Sequence, residues 1–265
     1  MLPRRDLLQG SRQAAALEPL IALAETVLRT WEPRWSPFLA PELREEAEAR
    51  LAALSELRLS SEGGHPGAER RRLWLERSEA EASEGSADSE GSADLRGLEI
   101  AGNFLFDPAD PQEFRAALLA AGVTEGEVGD LWLRGDRGAQ AVVTAAAAAA
   151  LNGQEALVRT VPVHFEVRPL AELRPPASRA PRRLTSVEAS SRLDAVASAG
   201  FGLSRSRMAA LIRQGEVRID WQPVSSPSRE LRVGERVQVR DRGELEVLAI
   251  EPTKRERLRI SLERR

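Results

Sequence analysis

The run Gly200-Phe201-Gly202-Leu203-Ser204-Arg205-Ser206-Arg207 leaves the chain few ways to fold, because it forces a tight turn between two helical stretches. Ser204 is a good N-cap, since its hydroxyl accepts a free backbone N–H at the helix start. Leu203 and Met208 occupy the positions of a hydrophobic staple around that cap. Gly215 stands where a helix ends in the left-handed conformation. Between the caps, Met208, Leu211 and Ile212 repeat at helical spacing and face a core. A short strand pair is expected to follow.

On the outward side of this second helix lie Ser206, Ala209, Ala210 and Arg213, with Arg205 at one shoulder. Small residues let a bulky partner approach the helix backbone, and a helix N-terminus favours phosphate. Val217, Ile219 and Trp221 alternate in the strand that follows, which turns Arg218 and Asp220 to the opposite face.

Arg192-Leu193-Asp194, the Gly-Phe-Gly-Leu-Ser-Arg-Ser stretch, Gly215-Glu216-Val217 and Val233-Gly234-Glu235 resemble the S4 RNA-binding domain. The whole pattern is most similar to the YlmH-type proteins, called photosystem II S4 domain proteins in cyanobacteria, and Trp221 fits that subgroup. Asp220 departs from the family, whose members usually carry Asn there. The resemblance implies RNA contacts at Arg192, Ser204, Arg205, Ser206, Arg207, Arg213, Arg218 and Asp220. It also implies a partner that is ribosomal RNA or tRNA on the large ribosomal subunit. Gly63-Gly64 with Ala68-Glu69-Arg70, Leu98 to Phe104, Val128 to Leu131 and Val161 to Val163 resemble the same family, extending the likeness over residues 60–265.

Charge agrees with a nucleic-acid-binding C-terminal end. The whole chain carries a net −3, but residues 182–265 hold 18 Lys and Arg against 12 Asp and Glu. Residues 1–181 hold 20 against 29. Such asymmetry between parts of a chain is a mark of polyanion binding at the basic end. Arginine forks match phosphate oxygens two at a time, and Lys254 is the only lysine.

The fold class expected is α+β, in four parts: an N-terminal helical region (1–62), a central ferredoxin- or RNA-recognition-motif-like domain (63–169), a Pro/Arg-rich linker (170–185) and an S4 domain (186–265). Helical stripes run over 12–30, with Pro19 at a start or kink, and from Pro41. Trp31, Trp35 and Phe38 pin these helices together, and Phe104 and Phe106 pack in a core or loop. The central domain reads β-β-α-β-β-α-β, starting with Leu73-Trp74-Leu75 and ending on one strand from Val158 to Val167. Its helices are 111–121, with Phe114, Leu118 and Leu119 inward, and 145–151. Residues 79–94 include Ser-Glu-Gly-Ser-Ala-Asp written twice, an acidic segment expected to be a disordered insertion. Arg70 to Arg72 form a charge run, either solvated or touching RNA phosphate.

Several chemistries lack their residues. There is no cysteine, so disulfides and thiolate metal sites are excluded. His65 and His164 are far apart and fit no metal motif, and no metal, cofactor or small-molecule substrate is expected. No apolar run is long enough to span a bilayer, so no membrane insertion is expected and the location expected is cytoplasmic. Arg-Leu-Asp also occurs as a catalytic motif of RNA pseudouridine synthases, but the Thr and Gly positions that follow it there hold Ala197 and Ala199. The expectation is therefore a non-enzymatic RNA-binding protein. The alternatives are an RNA-modifying enzyme and an interaction scaffold in cell division or photosystem assembly.

Overall fold

A computed structural model describes residues 2–11, 13–78, 94–177, 181–239, 242–254 and 256–265. The insertion expected over 79–94 lies outside the described residues, Asp94 excepted. The chain divides into two units, Met1–Ala177 and Ser178–Arg265.

The first unit opens with α1 (Arg4–Leu8), α2 (Ala14–Thr30), β1 (Arg34–Trp35), α3 (Pro41–Leu51), β2 (Leu57–Glu62) and β3 (Arg72–Arg77). Leu17, Leu20, Ile21, Ala24 and Val27 form the buried stripe of α2, and Pro19 lies inside the helix rather than at its start. The three strands make an antiparallel sheet in the order β1-β3-β2. The strand around Leu73 to Leu75 was expected to lead the central sheet, but it pairs with β1 and β2 instead. The reason is apolar burial: Leu73 and Leu75 complete the cluster formed by Leu17, Ile21, Leu51 and Leu57. The N-terminal region is therefore helices on a small sheet, not helices alone.

The central part follows as β4 (Leu95–Ala101), α4 (Pro111–Ala120), β5 (Val128–Leu133), β6 (Gly138–Thr144), α5 (Ala145–Leu151), β7 (Glu155–Val158) and β8 (Val161–Arg168). Its sheet order is β5-β6-β4-β8-β7, antiparallel throughout. This is the split βαβ arrangement with one extra edge strand. The strand expected as continuous over 158–167 is a hairpin that turns at Arg159, where φ is +55°. Asp110 closes a capping box with Glu113 at the start of α4. Phe114 and Leu118 face the core beside Leu151 of α5, whereas Leu119 is exposed. A separate buried cluster joins Leu95, Trp132 and Val142 of the sheet to Phe38 and Leu173. The start of the expected linker thus packs against the sheet, because Leu170 and Leu173 cover apolar surface there.

The second unit contains β9 (Arg182–Glu188), α6 (Leu193–Phe201), α7 (Arg205–Arg213), β10 (Val217–Ile219), β11 (Gln222–Pro223), β12 (Arg236–Val239), β13 (Gly243–Pro252) and β14 (Leu258–Arg264). One sheet takes all six strands in the order β11-β10-β12-β13-β14-β9. The end of the expected linker is therefore also structured: β9 pairs with β14 along its whole length, with Leu184 opposite Leu262 at the core. Helices α6 and α7 cover one face through Leu193, Val196, Phe201, Met208 and Ile212, which meet Val217, Val237, Leu245, Val247 and Ile260.

The turn between the helices forms as its residues require. Gly202 ends α6 in the left-handed region at φ +67°, and Ser204 Oγ accepts the Arg207 N–H at 3.3 Å. Leu203 and Met208 belong to the same cluster, as a staple demands. Ser204→Ala is expected to lower the stability of this unit by about 1 kcal/mol, read as a lower urea midpoint with unchanged slope.

Candidate nucleic-acid interface

Arg192 sits at the N-cap of α6, and Arg205 is the first residue of α7. The helix–turn–helix brings both guanidinium groups onto one carboxylate, that of the buried Asp194. Arg192 donates from Nε and Nη2 at 3.1 Å each. Arg205 donates from Nε at 3.0 Å and from Nη2 at 3.2 Å. Burial by itself would raise the Asp194 pKa, but hydrogen bonds and charge from the two arginines outweigh it and hold the carboxyl below its ordinary range. Both guanidinium groups keep a face to solvent, the Arg192 side chain at 38% exposure and that of Arg205 at 56%. Each guanidinium carries five N–H donors, so each retains donors beyond those given to Asp194.

Further along α7, Arg207 and Arg213 are exposed and have no ion-pair partner among the described residues. With 3.6 residues per turn, Arg205 and Arg213 fall within about 80° of each other, and Arg207 lies about 120° from Arg213 on the other flank. Ser206 and the half-buried Ala210 occupy the strip between Arg213 and Arg207. The Ser206 hydroxyl lies 3.2 Å from that of Ser204, the cap residue.

The other expected contacts lie elsewhere. Val217 and Ile219 point into the core beneath the helices, so Arg218 between them projects from the opposite face of the sheet. Arg218 and the arginines of α7 therefore do not share one surface. Asp220 and Trp221 form the two-residue turn between β10 and β11, both at positive φ, +46° and +65°. That geometry suits Asn-Gly best. Here side chains hold it: Asp220 Oδ1 accepts the Arg236 N–H at 3.1 Å, and Gln238 Oε1 accepts the Trp221 N–H at 3.2 Å. Asp220 and Gln238 thus each give an acceptor to the backbone of this hairpin.

Arg70, Arg71 and Arg72 turn inward. Arg70 donates to the carbonyls of Val128 (3.0 Å) and Glu125 (3.1 Å), Arg71 to those of Ala68 and Pro66, and Arg72 to that of Ser36. Burial lowers the pKa of both Arg70 and Arg72. The three arginines serve to hold loops of the first unit, a role that a sequence run of charge does not reveal. Among the aromatics, Phe38 and Phe104 are buried and the Trp35 ring packs 5.1 Å from Trp74. Trp31 and Phe106 are exposed, and the Arg77 guanidinium covers the Trp31 ring at 3.8 Å. His164 is exposed on β8, opposite Glu155.

The residue missed in the sequence was Asp194. Its two-residue spacing from Arg192 was visible, but only the crossing of α6 and α7 adds Arg205.

Comparison with known proteins matches both ends of the chain. The YlmH N-terminal family model matches residues 12–80, and the S4 domain model matches residues 191–237. The chain is 25% identical over 263 residues to "Ribosome-associated protein quality control protein P2" of Bacillus subtilis (strain 168), covering 98% of each. The solved structure of "Cell division protein ylmH from Streptococcus pneumoniae" aligns at 18% identity with a TM-score of 0.45, covering 61% of this chain and 94% of that one. The chain thus carries a match to the YlmH N-terminal domain over residues 12–80 and to the S4 domain over residues 191–237, and it is similar along its length to a ribosome-associated relative.

Proposed function

We propose that this chain is a non-enzymatic, cytoplasmic RNA-binding protein that grips ribosomal RNA or tRNA on the large ribosomal subunit. The contact surface is the helix pair α6–α7. Arg207 and Arg213 flank a strip of small residues with their guanidinium groups unpaired among the described residues, and this observation carries the reading. Arg192 and Arg205, fixed by Asp194, extend the surface around the turn. Phosphate is the chemistry that such forks match, since each offers paired N–H donors in one plane. Support also comes from the name of the full-length relative, which describes it as ribosome-associated. No helix among the described residues is long and apolar enough to cross a membrane.

The test is RNA affinity against salt for the full chain. Arg207→Gln with Arg213→Gln is expected to weaken binding of structured RNA whatever its sequence. The slope of log K against log salt should flatten by about two units, one for each phosphate that no longer meets an arginine. An unchanged slope would remove α7 from the interface. Cosedimentation with separated large subunits, before and after nuclease treatment, tests the ribosomal assignment.

A further inference from the structure

The end of the β13–β14 hairpin, together with β9, forms a cleft of about 780 Å³ whose lining includes Lys254, Arg257, Arg259, Glu251, Val187 and Pro252. Strand register fixes its position. Arg259 stands opposite Glu251 on β13 and Val187 on β9, while its neighbours Leu258 and Ile260 pack with the core. The cleft therefore opens on the face of the sheet turned away from α6 and α7, and it lies outside the stretch matched to the S4 domain.

Charge at the cleft is unbalanced. Lys254, Arg257 and Arg259 are exposed, and none forms an ion pair among the described residues. Several other arginines of the same unit are neutralised locally, Arg229 by Glu235, Arg265 by Glu246 and Glu263, Arg192 and Arg205 by Asp194, whereas Arg207 and Arg213 of α7 share the unpaired state of these three cations among the described residues. Three cations around one carboxylate repel each other, and an incoming anion relieves that repulsion. Thr253 and Arg257 are tied to each other at the base of the hairpin end. The Thr253 N–H donates to the Arg257 carbonyl at 2.7 Å, and the Arg257 N–H donates to Thr253 Oγ1 at 3.2 Å. No aromatic ring lines the cleft, so it offers bases no stacking surface.

We infer that this cleft is a second phosphate site, which takes the backbone of an RNA segment on the side of the sheet opposite α7. It rests on the RNA-binding reading above and adds to it that one S4 unit holds RNA on two faces. Recognition there is by charge and independent of base sequence.

Lys254 is the only lysine in the chain, which gives the site its own reporter. The full-length protein is treated with an amine-acylating reagent, alone and with an RNA stem-loop, and Lys254 modification is read by mass spectrometry against the N-terminal amine. In parallel, the stem-loop is titrated at rising KCl with the wild type, with Lys254→Gln/Arg257→Gln/Arg259→Gln and with Arg207→Gln/Arg213→Gln. The expected result is severalfold protection of Lys254 by RNA and a salt slope lowered by about two to three units in the hairpin variant. Equal acylation with and without RNA, together with an unchanged slope, overturns the inference. Protection by inorganic phosphate at matched ionic strength, with none from RNA, overturns it in favour of a small-anion site. If the α7 variant loses affinity and the hairpin variant does not, this inference fails while the proposed function stands. If the wild type binds no RNA, both fail. The protection arm uses wild-type protein and does not depend on any variant folding.

Discussion

Asp194→Ala is expected to destabilise the C-terminal unit by about 2 kcal/mol and to weaken RNA binding, even though it removes a negative charge from the proposed interface. Truncating one partner of a buried ion pair costs about 3–5 kcal/mol. The lower figure applies because Arg192 and Arg205 remain partly solvated, which screens the charges left behind. For binding, two effects oppose each other. One more net positive charge favours RNA, worth about 1 kcal/mol at a surface. Against it, two guanidinium groups lose the carboxylate that orients them, and ordering each side chain on binding costs about 0.5–1.5 kcal/mol. A net loss of about 1 kcal/mol, roughly a fivefold rise in Kd, is the expected balance. Tighter binding by the variant would show that Asp194 competes with RNA for the arginines instead of aiming them.

The stability effect has a definite pH dependence. The folded-state pKa of Asp194 is lowered, so its contribution is fully present above the ordinary carboxylate value of about 3.9. It is lost as pH falls from there through the lowered folded value. The urea midpoints of wild type and Asp194→Ala should therefore differ by a constant amount near neutrality and converge in acid. A difference that persisted unchanged through that range would mean the carboxylate's charge is not what stabilises the turn.

Gly138→Ala is expected to damage the first unit more severely, by at least about 3 kcal/mol. Gly138 has φ +113° and ψ −137°, a region that residues with a Cβ rarely enter. A Cβ there would lie 2.0 Å from the carbonyl oxygen of Ile100. That carbonyl belongs to β4, the central strand, whose Ala101 pairs with Gly138, and Ile100 is fully buried. Neither backbone can move aside without opening the β4–β6 ladder. A fall in urea midpoint, with near-native secondary structure retained below the transition, is the readout. A loss under about 1 kcal/mol would show that β4 yields at this point.

Local rules made much of this legible beforehand. Cap residues and apolar spacing placed α6 and α7 around Gly202 and Ser204, and the same reasoning placed α3 at Pro41, α4 at Pro111 and α5 along the alanine run. These features depend on residues a few positions apart, which a linear reading can compare. The S4 pattern was legible for the same reason. Pairing across distance was not. Leu73 to Leu75 alternate equally well for either of two sheets, and the choice fell to the apolar cluster with Leu17 and Leu57. The linker reading of 170–185 failed at both ends because prolines and arginines say nothing of the leucines Leu170, Leu173 and Leu184 finding apolar partners far along the chain.

Sequence alone determined that two capped helices would meet at a glycine turn beside a basic C-terminal region, because capping, helical period and charge are properties of neighbouring residues. Only the tertiary structure decided which cations stay available to a ligand. Arg70 to Arg72 are committed to carbonyls, Arg192 and Arg205 share Asp194, Arg218 lies across the sheet, and Arg207, Arg213, Lys254, Arg257 and Arg259 remain unpaired among the described residues. A guanidinium's availability depends on which acceptors the fold brings within about 3 Å of it, and those acceptors come from parts of the chain that sequence spacing does not relate.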